Sequence, residues 1–159
     1  MSLRLREVQE ADNPTLASVI RESLTEFGCN IPGTVFTDPE TDRIAQQFTL
    51  PRTIYFVAEW NGEVVGGAGI NILAGEVDTC ELQKLYLHRS ARGKGIATEL
   101  MKLCIAFAKS VGYKAIYLET KKELHVAVPL YEKFGFQHID HPMGNTGHFS
   151  CEIKMLKSL

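Results

Sequence analysis

The sequence contains no apolar run that approaches the roughly 20 residues of a membrane-spanning helix. Residues 1–7 alternate charge with leucine and contain no apolar core of the kind that a secretory signal needs. Lysine and arginine total 17 and aspartate and glutamate total 19, so the net charge of −2 creates no field that would attract nucleic acid or anionic lipid. We therefore expect a cytoplasmic protein with no nucleic-acid partner and no membrane partner.

Cysteine and histidine are present without the spacings typical of metal or redox sites. The four cysteines are scattered along the chain: Cys29, Cys80, Cys104 and Cys151. Cys80 and Cys104 lie in apolar strand and helix patterns, which is typical of buried free thiols in a reducing compartment. The histidines after residue 137 match no common zinc pattern, so we expect no metal ion.

Linkers, internal repeats and low-complexity tracts are also absent, so residues 1–159 are predicted to form a single domain. A chain of this length can bury one hydrophobic core and is too short for two. Hydrophobic residues at 45% and charged residues at 23% are usual for a globular protein.

The N-terminal third carries one strand signal and two helix signals. Alternating apolar residues predict a strand over 3–8. Helical spacing predicts a helix over 13–28, with Asn13 as its N-cap, and a second, shorter helix over 38–51. The loop 28–37 between the two helices is a candidate cover for a substrate.

The middle of the chain has the pattern of a hairpin followed by a strand-helix-strand unit. The dipeptide Asn61-Gly62 is typical of a type I′ turn and joins strands predicted over 54–59 and 63–72. Three further elements follow: a strand over 79–88, a helix over 95–110 and a strand over 114–120. Because a helical crossover makes its two strands parallel, the turn before the helix lies at the C-terminal edge of the sheet, where ligands of open α/β sheets gather.

The C-terminal part is predicted to be antiparallel. A short helix is expected over 124–133, a strand from Gly135, a polar turn over 142–147 and a final strand over 148–155. The whole chain should therefore form one mixed sheet flanked by helices.

The most informative stretch is residues 85–98, where an apolar strand enters a basic glycine turn that opens directly into a helix. Gly93 and Gly95 allow the backbone to adopt unusual dihedral angles and to approach a ligand closely. The unpaired N–H groups at the start of the helix, the helix dipole, Arg92 and Lys94 all favour an anion. The stretch therefore predicts a site for a phosphate-bearing molecule.

A dinucleotide is one alternative occupant, since Glu119 ends the next strand about where a ribose-binding acid would lie. Two features count against a Rossmann domain. The chain offers one parallel unit where several are needed, and the third glycine or alanine of the fingerprint falls at the wrong offset. A Walker loop is excluded because Gly-Lys-Ser/Thr does not occur at the required spacing.

The run Arg92-Gly93-Lys94-Gly95-Ile96-Ala97 resembles the acetyl-CoA pyrophosphate motif of the GNAT N-acetyltransferases. About forty residues later, the run Leu130-Tyr131-Glu132-Lys133-Phe134-Gly135-Phe136 is similar to a second hallmark of that family. Residues 80–86 and 144–148 look like a GNAT subgroup whose members sometimes occur fused to MarR-like regulators. No winged-helix part is present here.

This resemblance implies the acyl-CoA N-acyltransferase fold, a mixed α+β (α/β) architecture with a mostly antiparallel sheet of about seven strands, one parallel strand-helix-strand unit and about four flanking helices. It implies acetyl-CoA as the acyl donor and makes a homodimer an expectation. The backbone of Leu85, Tyr86 and Leu87 would pair with the pantetheine arm, as a sheet edge pairs with an added strand. The residues of the turn would hold the pyrophosphate: Arg92, Gly93, Lys94, Gly95, Ile96, Ala97 and Thr98.

Acetyl transfer to a primary amine needs a base, because an amine with a pKa of about 10.4 is protonated at pH 7. Glu81 is the candidate. Period-two alternation predicts that four side chains share one face of its strand: Glu81, Gln83, Leu85 and Leu87. The alternative is that Glu81 is a polar residue at the start of a strand, or an ion-pair partner of Lys84 or Arg89.

Tyr131 occupies the position of the family's general acid, which would protonate the leaving thiolate. The alternative is an aromatic core residue beside Phe134 and Phe136. The family's usual asparagine seven residues before this tyrosine is replaced by Leu124, which puts that contact to the pantetheine region in doubt. Neither Cys80 nor Cys104 has a histidine or another base at a suitable position, so direct attack in a ternary complex is expected.

The acceptor is expected to be a small amine or an amino-acid-like molecule. It would contact the loop 28–37 and four side chains: Glu81, Gln83, Asn145 and His148. Three other functions stay open: a protein lysine or N-terminal acetyltransferase, a non-catalytic acyl-CoA-binding regulator, and a nucleotide-binding oxidoreductase.

Overall fold

A computed structural model describes residues 2–147 and 151–159 of the chain. Its sheet has seven strands: β1 Leu3–Glu7, β2 Ile54–Trp60, β3 Glu63–Ile72, β4 Thr79–Leu87, β5 Ala115–Thr120, β6 Gln137–Ile139 and β7 Ile153–Ser158. Their order across the sheet is β1-β2-β3-β4-β5-β7-β6. Among the described strands, β4 and β5 form the only parallel pair. This confirms the predicted mixed, mostly antiparallel sheet with one parallel crossover.

Three α-helices pack on the sheet within the described ranges: α1 Asn13–Glu26, α2 Ile96–Ser110 and α3 Val128–Lys133. The sequence predicted about four, because the segment 38–51 was expected to be helical. It instead forms two 3-10 turns, Pro39–Asp42 and Ala45–Phe48, separated at Arg43 by non-helical backbone. None of the helices in the described part of the chain is long and apolar enough to cross a membrane.

Several predicted boundaries change in the structure. Asn13 lies inside α1, and its side chain accepts a hydrogen bond from the backbone N–H of Ala45 (2.9 Å), so its predicted role as N-cap is wrong. The amide is used to attach the 3-10 segment to the helix. The last strand was predicted over 148–155 and runs over Ile153–Ser158, while residues 148–150 lie outside the described residues.

The two faces of the sheet carry separate hydrophobic clusters. On one face, α2 contributes Leu100 and Cys104 to a cluster that also contains Ile116 of β5. On the other face, α1 contributes Leu16 and Ile20. The two helices therefore hold opposite faces of the sheet near its centre, around β3 and β4.

The parallel pairing between β4 and β5 is short. It joins Thr79–Glu81 to Ala115–Tyr117 and then stops, although both strands continue. Beyond these residues the β5-facing edge of β4 has no strand partner among the described residues. The sheet is therefore open at the C-terminal ends of the two strands, which is the edge where the glycine turn was predicted to lie.

A β-bulge at Lys84 changes which side chains share a face of β4. Gln83 pairs with Gly69 and Tyr86 pairs with Gly67, so two residues of β4 oppose one residue of β3. Lys84 has a left-handed φ of 56°, as a bulged residue can have. After this residue, each side chain of β4 therefore points to the face opposite to the one that regular alternation predicts.

The predicted common face of β4 is consequently wrong. Leu85 and Leu87 pack on the α2 side with Leu82, whereas Tyr86 packs on the α1 side. Glu81 and Gln83 open on the α1 side as well. Regular alternation is valid only for a strand without a bulge.

The bulge is held by Tyr55 of β2, whose ring lies over the glycines of β3. The Tyr55 hydroxyl donates a buried hydrogen bond of 2.8 Å to the carbonyl oxygen of Lys84. A Cβ atom at Gly69 would lie 2.6 Å from Cδ2 of Tyr55 and 2.7 Å from the carbonyl oxygen of Ile54. Glycine at position 69 therefore makes room for the ring that supports the bulge.

We predict that Gly69→Ala lowers the free energy of unfolding by about 1–3 kcal/mol, because the added methyl group overpacks the Tyr55 ring. Urea unfolding measures the change. Glu63→Ala, at an exposed position of the same strand, is the control and should stay within about 0.5 kcal/mol of the wild type. Equal stability of the two variants would contradict the packing argument.

Candidate active site

A cavity of about 420 Å³ fills the opening between β4 and β5. Its walls are the end of β4, the start of α2, the end of β5, the end of α1, and α3 with the segment that leads into it. The lining is mostly apolar, with Leu82, Leu118 and Leu130 among its residues. A large apolar cleft with a few polar groups is the usual form of a ligand site.

The glycine turn forms one end of this cavity. Gly93 and Gly95 have left-handed φ values of 76° and 79°, which confirms that the turn uses conformations that favour glycine. Ile96, Ala97 and Thr98 begin α2 directly after it and line the same cavity. Because the first N–H groups of a helix have no partner within the helix, this end of the cavity can accept an anion.

Arg92 has a different role from the one that its position in the motif suggests. Its guanidinium donates to Glu26 of α1 at 2.9 Å, and its Nε donates to the carbonyl oxygen of Leu87 at 3.3 Å. The guanidinium also lies 5.3 Å from the centre of the Phe27 ring. Arg92 therefore attaches the glycine turn to α1 and to the end of β4, and part of its charge is neutralised there.

Tyr131 of α3 faces the cavity from the opposite wall. Only 7% of the residue is exposed, and its ring packs edge-on against Phe136 at 6.0 Å. Burial raises the pKa of the Tyr131 hydroxyl well above its usual value, so the phenol stays protonated. The hydroxyl has no hydrogen-bond partner among the described residues, and it remains available to a ligand.

A second, smaller cavity of about 60 Å³ lies on the α1 side of β4. The two cavities share lining residues at the bulge and at the end of β5: Leu82, Lys84, Tyr86, Glu119, Thr120 and Leu124. They therefore meet at the bulge. The predicted cover 28–37 contributes Thr34 and Val35 to the small cavity.

Glu81 lines the small cavity and is 4% exposed. Desolvation by burial raises the pKa of its carboxyl group to about 7, and the nearby carboxylate of Glu119 adds to the increase. Gln83 lowers the pKa in part, since its Nε2 donates to Oε1 of Glu81 at 2.6 Å. Glu81 forms no ion pair with any described residue, so the expected alternative partners Lys84 and Arg89 are not used.

Glu119 faces Glu81 from the neighbouring strand and is already a hydrogen-bond acceptor. The hydroxyl of Tyr117 donates to its Oε2 at 2.7 Å, and the hydroxyl of Thr146 donates to its Oε1 at 2.6 Å. The turn 142–147 is thereby attached to the end of β5. Asn145, the residue of this turn singled out by the sequence, is exposed and lines neither cavity. His148 lies outside the described residues.

The cysteines have pKa values that disfavour nucleophilic roles. Burial raises the pKa of Cys80 and of Cys151 to about 12, and it raises the pKa of Cys104 further. Cys80 and Cys104 are fully buried, as their apolar patterns predicted. A thiol that stays protonated is a poor nucleophile, so these pKa shifts disfavour a covalent acyl-enzyme.

A model of the Acetyltransferase (GNAT) family matches residues 17–136 of the chain. The chain belongs to this family. It is 44% identical to the uncharacterized N-acetyltransferase YjgM of Escherichia coli strain K12, over 98% of this chain and 94% of YjgM. It is also 36% identical to N-acetylaspartate synthetase of Rattus norvegicus, over 62% of this chain and 31% of that protein.

Solved GNAT structures share the architecture. An acetyltransferase of the GNAT family from Staphylococcus aureus Mu50 superposes with a TM-score of 0.87 at 20% identity and covers 99% of both chains. The PaiA N-acetyltransferase of Thermoplasma acidophilum, solved in complex with coenzyme A, superposes with a TM-score of 0.78 at 20% identity over the full length of both chains. These likenesses confirm the expected acyl-CoA N-acyltransferase fold.

GNAT membership makes the chain an acetyl-CoA-dependent N-acetyltransferase. The resemblance stated from the two sequence motifs is thus confirmed at the level of family, fold and reaction type. The alternative of a nucleotide-binding oxidoreductase is excluded.

Three polar residues of the site were missed or undervalued by reasoning from the sequence: Lys84, Glu119 and Thr146. Lys84 was considered only as an ion-pair partner, and Glu119 only as a ribose-binding acid. A charged residue inside an apolar strand is the one local signal that could have singled out Lys84. Its position at a bulge depends on pairing with β3 and is invisible in the sequence.

We predict that Glu81→Gln stabilises the fold increasingly as the pH rises from 5 to 8. The pKa of Glu81 is about 7 in the folded chain and 4.5 for the unperturbed group, so its favourable contribution is complete below 4.5 and is lost as the pH passes through 7. Glutamine mimics the protonated acid, and the gain over the wild type at pH 8 should be on the order of 3 kcal/mol. Urea unfolding at both pH values measures it. The exposed Glu63→Gln is the control, and a gain independent of pH would contradict the raised pKa.

Proposed function

We propose that the protein transfers the acetyl group of acetyl-CoA to the primary amine of a small, amino-acid-like molecule by direct attack within a ternary complex. The observation that supports it most strongly is the meeting of two cavities at the bulge of β4. The large cavity has an anion-accepting end of the kind that a pyrophosphate needs, and the small cavity contains a carboxylate with a pKa of about 7.

In this proposal the donor lies in the large cavity. The N–H groups of residues 93–98 hold the pyrophosphate, with Lys94 as an exposed additional cation. The pantetheine arm pairs with the β5-facing edge of β4 at Leu85, Tyr86 and Leu87, which has no strand partner among the described residues. Arg92 has an indirect role, since its ion pair with Glu26 of α1 holds the glycine turn in place.

The reaction then needs two proton transfers. The amine nitrogen attacks the thioester carbonyl carbon, and Glu81 accepts the proton that the nitrogen loses, directly or through water. The carbon–sulfur bond breaks and Tyr131 donates its proton to the departing thiolate. Burial keeps Tyr131 protonated until then, and the same desolvation makes the thiolate a stronger base. A backbone N–H of Leu85 or Leu87 is the candidate donor to the developing oxyanion.

The acceptor in this proposal enters the small cavity, beside Glu81 and Gln83. A cavity of about 60 Å³ accommodates a small group and favours a small molecule over a protein surface. The name of one relative, N-acetylaspartate synthetase, supports an amino-acid-like acceptor. The substrate contacts of Asn145 and His148 stay predictions, as does the resemblance to GNAT domains fused to MarR-like regulators.

The remaining parts of the proposal concern the whole protein. We propose that residues 1–159 form one acetyltransferase domain that acts in the cytoplasm, as a homodimer, without a metal ion and without nucleic-acid or membrane partners. The charge balance supports the expectation of no nucleic-acid partner, and the absence of long apolar runs supports the expectation of no membrane partner.

We predict that Gly95→Ala weakens binding of CoA about tenfold or more. A side chain at a left-handed φ of 79° costs roughly 1–2 kcal/mol, and relief of that strain turns the N–H groups away from the pyrophosphate. Isothermal titration with CoA measures the change. Gly112→Ala is the matched control, because Gly112 has a similar φ of 88° beyond the other end of α2 and equally open surroundings. Equal affinities in the two variants would remove the turn from the CoA site.

We predict that Glu81→Gln and Tyr131→Phe each lower kcat about 100-fold or more, the usual effect of losing a general base or acid. Release of the CoA thiol from acetyl-CoA, measured against a panel of primary amines, tests both. The ratio of wild-type to Glu81→Gln rates should rise as the pH passes through about 7, since the base acts only when ionised. Tyr113→Phe, whose hydroxyl donates to the carbonyl oxygen of Arg52 outside both cavities, is the control.

The outcomes separate the candidate functions. Binding of CoA without thiol release from any amine would favour a non-catalytic regulator. Turnover of peptides in preference to small amines would favour a protein acetyltransferase. Unchanged turnover of Tyr131→Phe would remove the tyrosine from the reaction.

A further inference from the structure

Lys84 is a buried residue whose ammonium group has no partner among the described residues. The residue is 9% exposed, and its side chain lines both cavities. It has no hydrogen bond and no ion pair to any described residue. Burial lowers the pKa of its ammonium group, and Asp38, Glu81 and Glu40 offset this only in part from beyond ion-pair distance. A buried ammonium group is costly unless an anion or several hydrogen bonds compensate it.

The backbone holds Lys84 in this position. A lysine with a φ of 56° carries a conformational cost of about 1–2 kcal/mol. Such a conformation persists only where the surrounding structure imposes it, and here Tyr55 does so through its 2.8 Å hydrogen bond to the Lys84 carbonyl oxygen. Bulges commonly redirect one side chain next to an active site. The side chain is thereby directed to the junction of the cavities.

The other charged side chains that line the two cavities all have partners. Lys121 donates to Glu152 at 2.8 Å and Arg92 donates to Glu26 at 2.9 Å. The carboxylates accept hydrogen bonds: Glu81 from Gln83, and Glu119 from Tyr117 and Thr146. Within the described residues, Lys84 is therefore the one lysine, arginine, aspartate or glutamate side chain lining the cavities that has neither a hydrogen bond nor an ion pair.

We propose that Lys84 binds a carboxylate of the acetyl acceptor and so restricts the substrate to carboxylate-bearing amines. This inference rests on the proposed function, since it requires the acceptor to enter beside Glu81. The carboxylate would form a charge-assisted hydrogen bond with the ammonium group and supply its missing partner.

The arrangement also orients the acceptor. Lys84 and Glu81 lie three residues apart on one strand and line the same small cavity. An acceptor bound by its carboxylate at Lys84 presents a nearby amine to Glu81. That geometry fits an amino acid, in which a few bonds separate the two groups. An amine without a carboxylate would leave Lys84 uncompensated and would lose this orientation.

The test compares acceptors that differ only in the carboxylate. Thiol release from acetyl-CoA is measured with a set of L-amino acids, each beside its C-terminal amide and its decarboxylated amine. The wild type should prefer at least one acid over its amide by roughly 10- to 100-fold in kcat/KM, the range for a hydrogen bond to a charged group. Lys84→Met should abolish this preference by raising KM for the acid. The value of kcat/KM for the amide should stay almost unchanged.

Two further variants control the comparison. Lys84→Arg retains the cation and should retain most of the preference. Lys121→Met removes the other buried lysine of the small cavity, whose charge is already neutralised, and should leave the preference in place. Lys84→Met removes a buried charge, so its thermal unfolding temperature should not fall. Equilibrium binding of the N-acetylated acid provides a readout that does not depend on turnover, and it should weaken by a similar factor in Lys84→Met.

The outcomes are distinct. Turnover of amines without any preference for the carboxylate overturns the role of Lys84 and leaves the proposed function intact. A preference that survives in Lys84→Met, or that disappears in Lys121→Met, also overturns it. If no amine is turned over although CoA binds, the proposed function itself fails.

Discussion

The active site depends on the early end of the pairing between β4 and β5. The two strands share only the register from Thr79 to Glu81, and both continue beyond it. A sheet closed along its full length would have no room for a donor between these strands. Because the strands separate, one opening exposes the edge of β4, the first N–H groups of α2 and the hydroxyl of Tyr131. Each group belongs to a different element, and the open sheet brings them together.

The bulge at Lys84 determines which side chains of β4 lie on each face of the sheet next to this opening. Without an extra residue in β4, Glu81 would share a face with Leu85 and Leu87. The inversion at Lys84 places Glu81 on the α1 side and the two leucines on the α2 side. In the proposed function, donor and acceptor would approach from opposite faces of this strand. The glycines of β3 and the Tyr55 hydroxyl maintain the bulge.

The same burial that shapes the chemistry lowers stability. An ionised Glu81 and a cationic Lys84 are both disfavoured in the interior, and Lys84 also has a strained backbone. A protein selected for stability alone would place apolar residues at these positions. Tyr131 is neutral, so it avoids the cost of a buried charge, although its hydroxyl has no hydrogen-bond partner among the described residues. The unfavourable groups are concentrated where the two cavities meet.

The sequence by itself determined the family, the order of the elements and the glycine turn, because the apolar spacing, the Asn61-Gly62 turn and the two motifs are local signals. It also indicated Glu81 and Tyr131, which both line the cavities. Tertiary structure alone decided the face on which Glu81 lies, the use of Arg92 to bind Glu26, the link from Thr146 to Glu119 and the isolation of Lys84. Each depends on contacts between residues far apart in the chain. The register between β3 and β4 places the bulge, and burial by several elements leaves the Lys84 side chain without a partner.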